Sequence, residues 1–495
     1  MKTKLQLRAA ASILIGVAMT TLFFISCKKQ VPEGEIGSTS FKAKSRSVVP
    51  SAAMQNKLRV FGYFYRSDKD FSNYMDSLDL NQFTDVALSF VNPNNQGDFT
   101  VGSNISDAVV KGHNANVRMY FSFGGGGSAL YFDTLLYAQN RTKFVSNIRK
   151  VATDHNFDGV DVDLEGERVT SNYNAFVMQL ADTLHKYSKK LSISISTWKG
   201  AVVSDAAYAK IDYINSQSYG GPAEGGAGTR APFSDFVNDF GYFKNTRGIP
   251  ASKFNGGVPF YGDNFTSGVS SGTISYKAII GQFPYAYSLN YKYLDPYKVT
   301  YFDGHPRMRQ KVEYALQQNM GGIMIWQILF DTKDNSSLAR LINETAANNS
   351  GFNPSTNYYL LNRTSSKLME VANASLLDGA NIQQGPNSIT DARLWKINTV
   401  GSLMYGFTNV NSQKVLDVAG ASTADGANIL QSTPVSTDSQ KFKLTPNTLG
   451  YYTITNVNSN KVVEVVGSST ADGANIAQKT SSGGNNQQWI LRQVQ

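Results

Sequence analysis

The last third of the chain contains the same pattern three times, at a spacing of 47 residues. A Lys followed by two apolar residues, an acid and Val stands at 367–371, 414–418 and 461–465. The run Asp-Gly-Ala-Asn-Ile stands at 378–382, 425–429 and 472–476. A unit of this size cannot bury its own apolar face, so three copies predict a closed threefold assembly of short β-strands.

Eight short apolar runs, separated by helix-like segments, occupy the region from about 57 to 346. They lie at 58–65, 85–90, 117–123, 159–164, 191–197, 213–218, 256–260 and 322–326. Eight β/α units over about 290 residues favour a parallel (β/α)8 TIM barrel, with a doubly wound, Rossmann-like sheet as the alternative. The long, Tyr-rich interval 262–305 predicts an inserted loop or small subdomain over the strand ends.

The segment Asp158-Gly-Val-Asp-Val-Asp-Leu-Glu165 is the motif that carries chemistry. Asp161, Asp163 and Glu165 alternate along the fourth predicted strand, so they share one face and aliphatic residues take the other. In a parallel barrel the aliphatic face packs on the helices, and the acids therefore point inward and climb toward the C-terminal mouth. Such burial raises at least one carboxyl pKa, which suits a general acid. A Mg²⁺ or Ca²⁺ site is the alternative.

This motif resembles the Asp-x-x-Asp-x-Asp-x-Glu signature of glycoside hydrolase family 18. Four further segments are similar to the family pattern at the ends of other strands: Ser122–Gly125, Gln217–Tyr219, Val258–Gly262 and Trp326. The resemblance covers most of 57–346 and implies hydrolysis of a glycan that contains N-acetylglucosamine, with no cofactor and no metal.

The resemblance also implies a role for each residue in a retaining, substrate-assisted reaction. Glu165 would protonate the glycosidic oxygen and later activate water. Asp163 would orient the acetamido group of the substrate, Tyr219 would hydrogen-bond its oxygen, and Asp161 would share a proton with Asp163. The predicted substrate contacts are Trp326, Gln217, Tyr63, Trp198, Tyr261 and Gly124.

Two departures from the family pattern bear on the substrate. Many chitinases have Met-x-Tyr-Asp on strand six, where this chain has Gln217 to Gly220, and Gly166 replaces an aromatic residue often found after the catalytic Glu. Both changes open space near the cleavage point. They therefore favour the alternative, an endo-β-N-acetylglucosaminidase acting on the chitobiose core of N-glycans. We nevertheless expect a chitinase-like enzyme, because the long segment 262–305 and the stretch 303–331 are similar to chitinases throughout. A non-catalytic carbohydrate-binding protein is a third candidate, but such proteins typically lose the residue that Glu165 provides.

The repeats resemble ricin-type β-trefoil lectins through their Gln-x-Trp endings. The third copy has Gln487-Gln488-Trp489, and the second has Gln440-Lys441-Phe442. The aromatic residue expected in a sugar pocket is absent from all three copies. Glu464, Asn486 and Gln487 mark the best remaining pocket, and a spacer without sugar binding is the alternative.

The N-terminus predicts a bacterial lipoprotein. Three basic residues precede 17 uncharged residues, and Phe24-Ile25-Ser26-Cys27 resembles a lipobox in which Cys27 is acylated. The chain would then be held by a lipid anchor in the cell envelope, at the outer membrane or cell surface. The net charge of +9 is scattered and forms no stripe, so nucleic acid is not an expected partner. With one Cys and four separated His residues, a Cys/His metal site is not expected either.

These patterns predict five segments: a signal peptide at 1–26, a flexible tether at 27–56, the catalytic barrel at 57–346, a linker at 347–354 and the trefoil at 355–495. Within the barrel, we interpret the glycine run 124–127 as a chain turn and not as a phosphate cradle. We expect His305 to lie solvated in a loop.

Overall fold

A computed structural model of the chain describes residues 58–127, 129–219, 228, 231–348 and 350–494. The predicted signal peptide, the tether and Cys27 lie outside the described residues, as does most of the Gly-rich segment 220–228. Among the helices that are described, none combines the length and the apolar character needed to span a bilayer.

Eight parallel strands close into a barrel, which confirms the predicted (β/α)8 fold and excludes the doubly wound sheet. The strands are β1 (Arg59–Tyr65), β2 (Asp85–Ser89), β3 (Arg118–Gly124), β4 (Gly159–Asp163), β5 (Lys190–Ile195), β6 (Tyr213–Ser216), β7 (Phe254–Pro259) and β12 (Gly322–Trp326). The barrel closes where β1 pairs with β12 in parallel. All eight predicted strands are present, displaced by no more than two residues at either end.

Between β7 and β12 the chain forms a second, antiparallel sheet, as the Tyr-rich interval predicted. Its strands are β8 (Tyr261–Thr266), β9 (Val269–Ser275), β10 (Tyr291–Asp295) and β11 (Lys298–Tyr301), in the order β10-β11-β8-β9. β8 begins two residues after β7 ends, so this insertion rises directly from the C-terminal edge of the barrel.

Helices surround the barrel and bury their apolar faces against it. The described helices are α1 (Phe71–Met75), α2 (Ser103–Asn114), α3 (Tyr131–Leu136), α4 (Ala138–Asp154), α5 (Ser171–His185), α6 (Thr197–Gly200), α7 (Asp205–Lys210), α8 (Phe233–Gly241), α9 (Tyr276–Gln282), α10 (His305–Gln317) and α11 (Leu338–Asn348). In α4, the buried residues Phe144, Val145, Ile148 and Ala152 recur every three to four positions, which is the helical period.

The interior of the barrel is filled, and its lower end is sealed. Phe61, Tyr63, Tyr120 and Met324 form a small core inside the strands. Below them, the fully buried carboxylate of Asp85 accepts two hydrogen bonds from the Arg118 guanidinium, at 2.7 and 2.6 Å. A second guanidinium, that of Arg59, lies 3.5 Å from the same carboxylate.

The C-terminal region is an all-β domain of twelve strands, which confirms the predicted trefoil architecture. The strands are β13 (Asn357–Asn362), β14 (Leu368–Val371), β15 (Ile382–Gly385), β16 (Trp395–Gly401), β17 (Met404–Asn409), β18 (Val415–Val418), β19 (Ile429–Ser432), β20 (Phe442–Pro446), β21 (Tyr452–Asn456), β22 (Val462–Val465), β23 (Ile476–Lys479) and β24 (Trp489–Gln493). β24 pairs with β13 and closes the ring of repeats.

The three repeats are joined to one another by equivalent ion pairs. Each Lys that opens a repeat pattern lies close to the Asp of the Asp-Gly-Ala-Asn-Ile run in the preceding copy. The pairs are Lys367–Asp472 at 2.5 Å, Lys414–Asp378 at 2.8 Å and Lys461–Asp425 at 2.8 Å. Two of the most regular sequence features therefore form the contacts between repeats.

Candidate active site

The acids of β4 lie inside the barrel, as their alternation predicted. Val160 and Val162 pack into the core between strands and helices, whereas Asp161 and Asp163 face inward and are 0% and 3% exposed. Glu165, two residues further along, lies just beyond the strand and is partly exposed. The three carboxylates thus form a ladder that runs from the barrel interior to its mouth.

Asp161, at the bottom of the ladder, accepts four hydrogen bonds. Its Oδ2 atom accepts from the Tyr63 hydroxyl at 2.7 Å and from Ser122 at 2.8 Å. Its Oδ1 atom accepts from Ser192 at 2.6 Å and from the Asn215 amide at 3.1 Å. Burial raises the pKa of Asp161, and these hydrogen bonds oppose the rise.

The same four donors argue against the cation-site alternative. A hard cation needs free carboxylate lone pairs, and those of Asp161 already accept from three hydroxyl groups and one amide. Within the described residues, no three His, Cys, Asp or Glu side chains are grouped to hold a metal ion.

Asp163 is linked to Glu165 through a shared donor. The amide nitrogen of Gln217 donates to Oδ1 of Asp163 at 3.1 Å and to Oε1 of Glu165 at 2.8 Å. Burial raises the pKa of Asp163 well above its usual range, and the charges of Glu165 and Asp161 raise it further. This carboxyl therefore holds a proton more tightly than an ordinary Asp, as expected for coupled acids on one strand.

Glycines let the chain turn closely around the tops of β3 and β4. Gly124 and Gly125 have φ values of 108° and 88°, and the Gly125 amide donates to the Asp163 carbonyl at 2.7 Å. A Cβ atom on Gly126 would lie 3.6 Å from Oε2 of Glu165. The interpretation of 124–127 as a turn is confirmed, and Gly124 contributes close backbone approach and no functional group.

Tyr219 stands beside the ladder, three residues beyond the end of β6, the strand that also positions Gln217. Burial raises the pKa of its hydroxyl well above 10, and the nearby Tyr261 and Asp163 raise it further, so the hydroxyl stays protonated and can donate. Its described hydrogen bond is a weak one to Sδ of Met324 at 3.6 Å. Tyr261, from the insertion, packs edge-on against it with ring centroids 6.5 Å apart.

Trp326, at the end of β12, forms an aromatic surface at the mouth. Its ring stacks on Phe90 at 5.7 Å between centroids and contacts Tyr63 at 5.6 Å and Tyr65 at 5.9 Å. Phe90 and Tyr65 were not predicted. Tyr65 continues the inward alternation of Phe61 and Tyr63 in β1, whereas Phe90 lies one residue beyond the end of β2 and is not reached by the alternation of that strand. Tyr63 was predicted to contact substrate, but it is 1% exposed and its hydroxyl serves Asp161, so its described contacts place it beneath the mouth.

Trp198 lies at the rim of the mouth and not in its floor. It is 65% exposed, and the Lys199 ammonium lies 4.8 Å from its ring centroid. A Cβ atom on Gly166 would find its nearest neighbour in this ring at 4.0 Å. The space beside Glu165 is therefore open on this side, as the glycine at 166 suggested.

Sequence reasoning missed the donors that hold Asp161. Ser192 and Asn215 lie on β5 and β6, 31 and 54 residues from Asp161. The available signal was a polar residue at an inward position of each strand, but inward polar residues gain meaning only once the strand register is known. In the barrel, Asp161 pairs in register with both Ser122 and Ser192.

The predicted trefoil pocket is assembled in the third repeat. Oε2 of Glu464 accepts from Gln487 at 2.9 Å and from Asn486 at 3.3 Å, and Glu464 itself is 6% exposed. The three residues therefore lie together, although the acid is already engaged by the two amides.

The equivalent positions of the other repeats differ. In the first, Arg393 replaces the Gln and forms an ion pair with Glu370 at 2.6 Å, so the charge of this acid is neutralised by a residue of the same repeat. In the second, Oδ2 of Asp417 accepts from Ser432 at 2.5 Å and from Gln440 at 3.0 Å.

The expectation for His305 is wrong. This residue begins α10, is 4% exposed, and bonds the Ser336 carbonyl through Nε2 at 2.9 Å. Burial, followed by the charge of Arg309, lowers its pKa to about 3, so it is neutral and structural.

Comparison with known proteins agrees with this geometry. The model of glycosyl hydrolases family 18 matches residues 59–331, and that of the ricin-type beta-trefoil lectin domain-like family matches 348–432 and 438–495. Chitinase B of Serratia marcescens is 23% identical over 418 residues, which cover 58% of this chain and 84% of that protein. Endochitinase 1 of Metarhizium robertsii is 26% identical over 380 residues, covering 60% and 85%. The crystal structure of the GH18 chitinase ChiB from the chitin utilization locus of Flavobacterium johnsoniae is 28% identical with a TM-score of 0.52, covering 59% and 95%.

Proposed function

The chain belongs to glycosyl hydrolases family 18, and on this premise we propose that it hydrolyses β-1,4-linked N-acetylglucosamine glycans with retention of configuration. The observation that carries this proposal is the bridge at the top of β4, where Gln217 binds both Asp163 and Glu165. A partly exposed acid above a buried, proton-retaining acid is the arrangement that a substrate-assisted mechanism needs.

In the first step, Glu165 donates its proton to the glycosidic oxygen, because it is the ladder carboxyl that reaches the open mouth. The acetamido oxygen of the substrate attacks the anomeric carbon, and the leaving sugar departs with the proton of Glu165. Asp163 is 3% exposed and directed toward Glu165, so it is not presented as a nucleophile. Instead it accepts from the acetamido N–H and stabilises the positive charge of the cyclic intermediate.

In the second step, the ionised Glu165 takes a proton from water, which attacks the anomeric carbon and reopens the ring. The protonated Tyr219 donates to the acetamido oxygen, and Trp326 supports the sugar ring from below. The four donors around Asp161 keep this carboxyl fixed beneath Asp163 during both steps.

The test is Glu165→Gln, with Glu167→Gln as the matched control. Glu167 lies two residues away, its side chain is 81% exposed, and its ion pair with Lys199 is 3.3 Å long. Turnover of chitohexaose should fall about 10²- to 10⁴-fold in Glu165→Gln, because this is the usual contribution of a general acid–base group. It should stay unchanged in Glu167→Gln. Equal turnover by both variants would refute the proposal.

An endo-β-N-acetylglucosaminidase is the second candidate, and the open space between Gly166 and Trp198 favours it. A branched N-glycan core needs more room beside the general acid than a linear polymer does. Incubation with chitohexaose and with a high-mannose glycoprotein separates the two candidates. Release of intact N-glycan without cleavage of the oligomer would establish the second.

We further propose that Cys27 carries a lipid anchor that holds the enzyme in the bacterial cell envelope, at the outer membrane or cell surface. The support is the basic, apolar and Ser26-Cys27 sequence of the N-terminus. Cys27→Ser should move the protein from the membrane to the soluble fraction, and an unchanged membrane fraction would contradict the proposal.

A further inference from the structure

The outer face of one trefoil strand pair breaks the threefold symmetry of the sequence. In β16–β17 an outward cross-strand pair is Lys396–Thr408, and in β20–β21 the equivalent pair is Lys443–Thr455. At the same position, β13–β24 carries Leu361 opposite Ile490. Two repeats thus present Lys and Thr to solvent where the third presents two aliphatic residues.

The next outward pair along the same strands follows the same rule. Asn398–Gly406 and Thr445–Thr453 are the two small or polar versions. The version in β13–β24 is Tyr359 opposite Arg492. Arg492 contacts the catalytic domain: its Nε donates to the Ser288 hydroxyl at 3.2 Å, and its guanidinium lies 4.6 Å from the Tyr285 ring centroid.

The catalytic domain covers this face with the segment 285–291, which leads into β10 of the insertion. Leu289 packs with Ile490 and Tyr451 in a cluster whose buried members are 7–9% exposed. The hydroxyl groups of Tyr291 and Tyr451 lie 3.0 Å apart. The main chain also takes part, since the Asn290 amide donates to the Leu449 carbonyl at 2.9 Å.

Leu449 and Tyr451 belong to the hairpin between β20 and β21, whose counterpart between β16 and β17 has Ser402 and Met404 at the same positions. Gly450 lies between them with φ +94°, and a Cβ atom there would stand 2.9 Å from the Asn290 nitrogen. Both the side chains and the backbone of this hairpin therefore fit closely against the segment 285–291.

A second contact lies where Tyr358, Tyr405 and Tyr452 occupy equivalent positions in the three repeats. All three rings pack on Phe352 of the linker. On the barrel side, α10 supplies both partners: Arg309 donates to the Tyr452 hydroxyl at 2.7 Å, and Glu313 accepts from the Tyr405 hydroxyl at 2.6 Å. Two side chains of opposite charge on one helix thus bind two of the three symmetry-related tyrosines.

We infer that the trefoil is a structural brace of the catalytic domain, and that the two unfold together as one unit. The braced segment leads into the sheet that contains β8, and β8 begins with Tyr261, the residue packed against Tyr219. Docking of the trefoil therefore supports one wall of the active site. The effect on catalysis rests on the proposed function, whereas the joint unfolding does not.

The experiment gives the docking hairpin the residues of its free counterpart. Leu449→Ser with Tyr451→Met keeps residue types that the trefoil already tolerates in its other hairpin. The matched control is the reverse exchange, Ser402→Leu with Met404→Tyr, at the hairpin between β16 and β17. Both double variants and the unsubstituted chain are followed by scanning calorimetry and by cleavage of chitohexaose.

The inference predicts a single calorimetric transition for the unsubstituted chain and for the control. The docking variant should show a transition lowered by several degrees or split into two, and a KM for chitohexaose raised at least threefold with a smaller change in kcat. Two separate transitions in the unsubstituted chain, or a docking variant that melts like the control, would overturn the inference. If the unsubstituted chain cleaves no chitohexaose, the proposed function fails on this substrate while calorimetry still decides the inference.

Discussion

Removal of one hydroxyl group from the bottom of the acid ladder tests how Asp161 is held. Tyr63→Phe keeps the ring that supports Trp326 and deletes the 2.7 Å hydrogen bond to Asp161. The barrel offers a matched control in Tyr120→Phe. Both tyrosines lie in the same interior core at 1% and 0% exposure, but the Tyr120 hydroxyl has no hydrogen-bond partner among the described residues.

The expected cost follows from the charge of the acceptor. A buried hydrogen bond to an ionised carboxylate contributes about 1.5–3 kcal/mol to the free energy of unfolding, and a bond to a neutral group about 0.5–1.5 kcal/mol. Tyr63→Phe should therefore destabilise the fold by one of these two amounts, depending on the protonation of Asp161. Tyr120→Phe removes a buried hydroxyl that is already without a partner, so it should be neutral or stabilising.

The pH dependence has a definite sign. Burial raises the pKa of Asp161, and the Tyr63 hydrogen bond is one of the contacts that lower it again. Without that bond the folded-state pKa rises further, and the folded protein is penalised more wherever Asp161 is ionised. The difference in unfolding free energy between Tyr63→Phe and the unsubstituted chain should therefore be small below pH 4 and grow as pH rises through the folded-state pKa.

Denaturant unfolding of the three proteins between pH 3 and pH 8 measures this difference directly. Chitohexaose kinetics should show kcat lowered about tenfold in Tyr63→Phe, which corresponds to about 1.4 kcal/mol in the transition state, and unchanged in Tyr120→Phe. Equal destabilisation by the two substitutions, or a cost in Tyr63→Phe that does not vary with pH, would refute the account of the ladder.

Two further substitutions test the upper part of the site. Asp163→Asn should make the protein more stable than the unsubstituted chain, with a gap that opens as pH rises above about 4, because an Asp with a raised pKa loses stability there and Asn does not ionise; thermal unfolding with no such gap would contradict this, and activity should be lost. Trp326→Ala should lower kcat/KM for chitohexaose about ten- to hundredfold, since burying an aromatic face contributes on the order of 1.5–3 kcal/mol. Trp198→Ala, at the exposed rim, is its control and should have a smaller effect, whereas equal losses would remove Trp326 from the floor of the site.

The barrel could be predicted because its signals are local. Alternating acids and aliphatic residues in β4 define both faces of one strand without reference to any other strand, and Glu165, Asp163 and Asp161 followed from that alternation alone. The identical spacing of the repeats likewise fixed the trefoil before any contact was known.

The donors to Asp161 could not be predicted in the same way. Tyr63 and Asp161 are 98 residues apart, and only the register of the closed barrel brings them within hydrogen-bonding distance. The prediction for His305 was wrong for a related reason. Its burial results from the start of α10 packing against Ser336, which belongs to a later loop.

The docking face also has a signal in the sequence. Alignment of the three repeats places Leu361 and Ile490 against Thr and Lys in the other two copies. Apolar substitutions at outward positions of a single copy indicate that this copy has a neighbour. Internal repeats thus provide their own control, because the two exposed copies show which residues occupy these positions when they face solvent.

The filled interior of the barrel determines where substrate enters and where products leave the active site. Asp85 and its two arginines lie at the lower end, and buried aromatic residues fill the interior of the described strands above them. A glycan chain therefore cannot pass through the barrel and must bind across its open mouth. Both fragments then leave by the side on which the glycan entered, and in the proposed mechanism the water of the second step reaches Glu165 through that same opening.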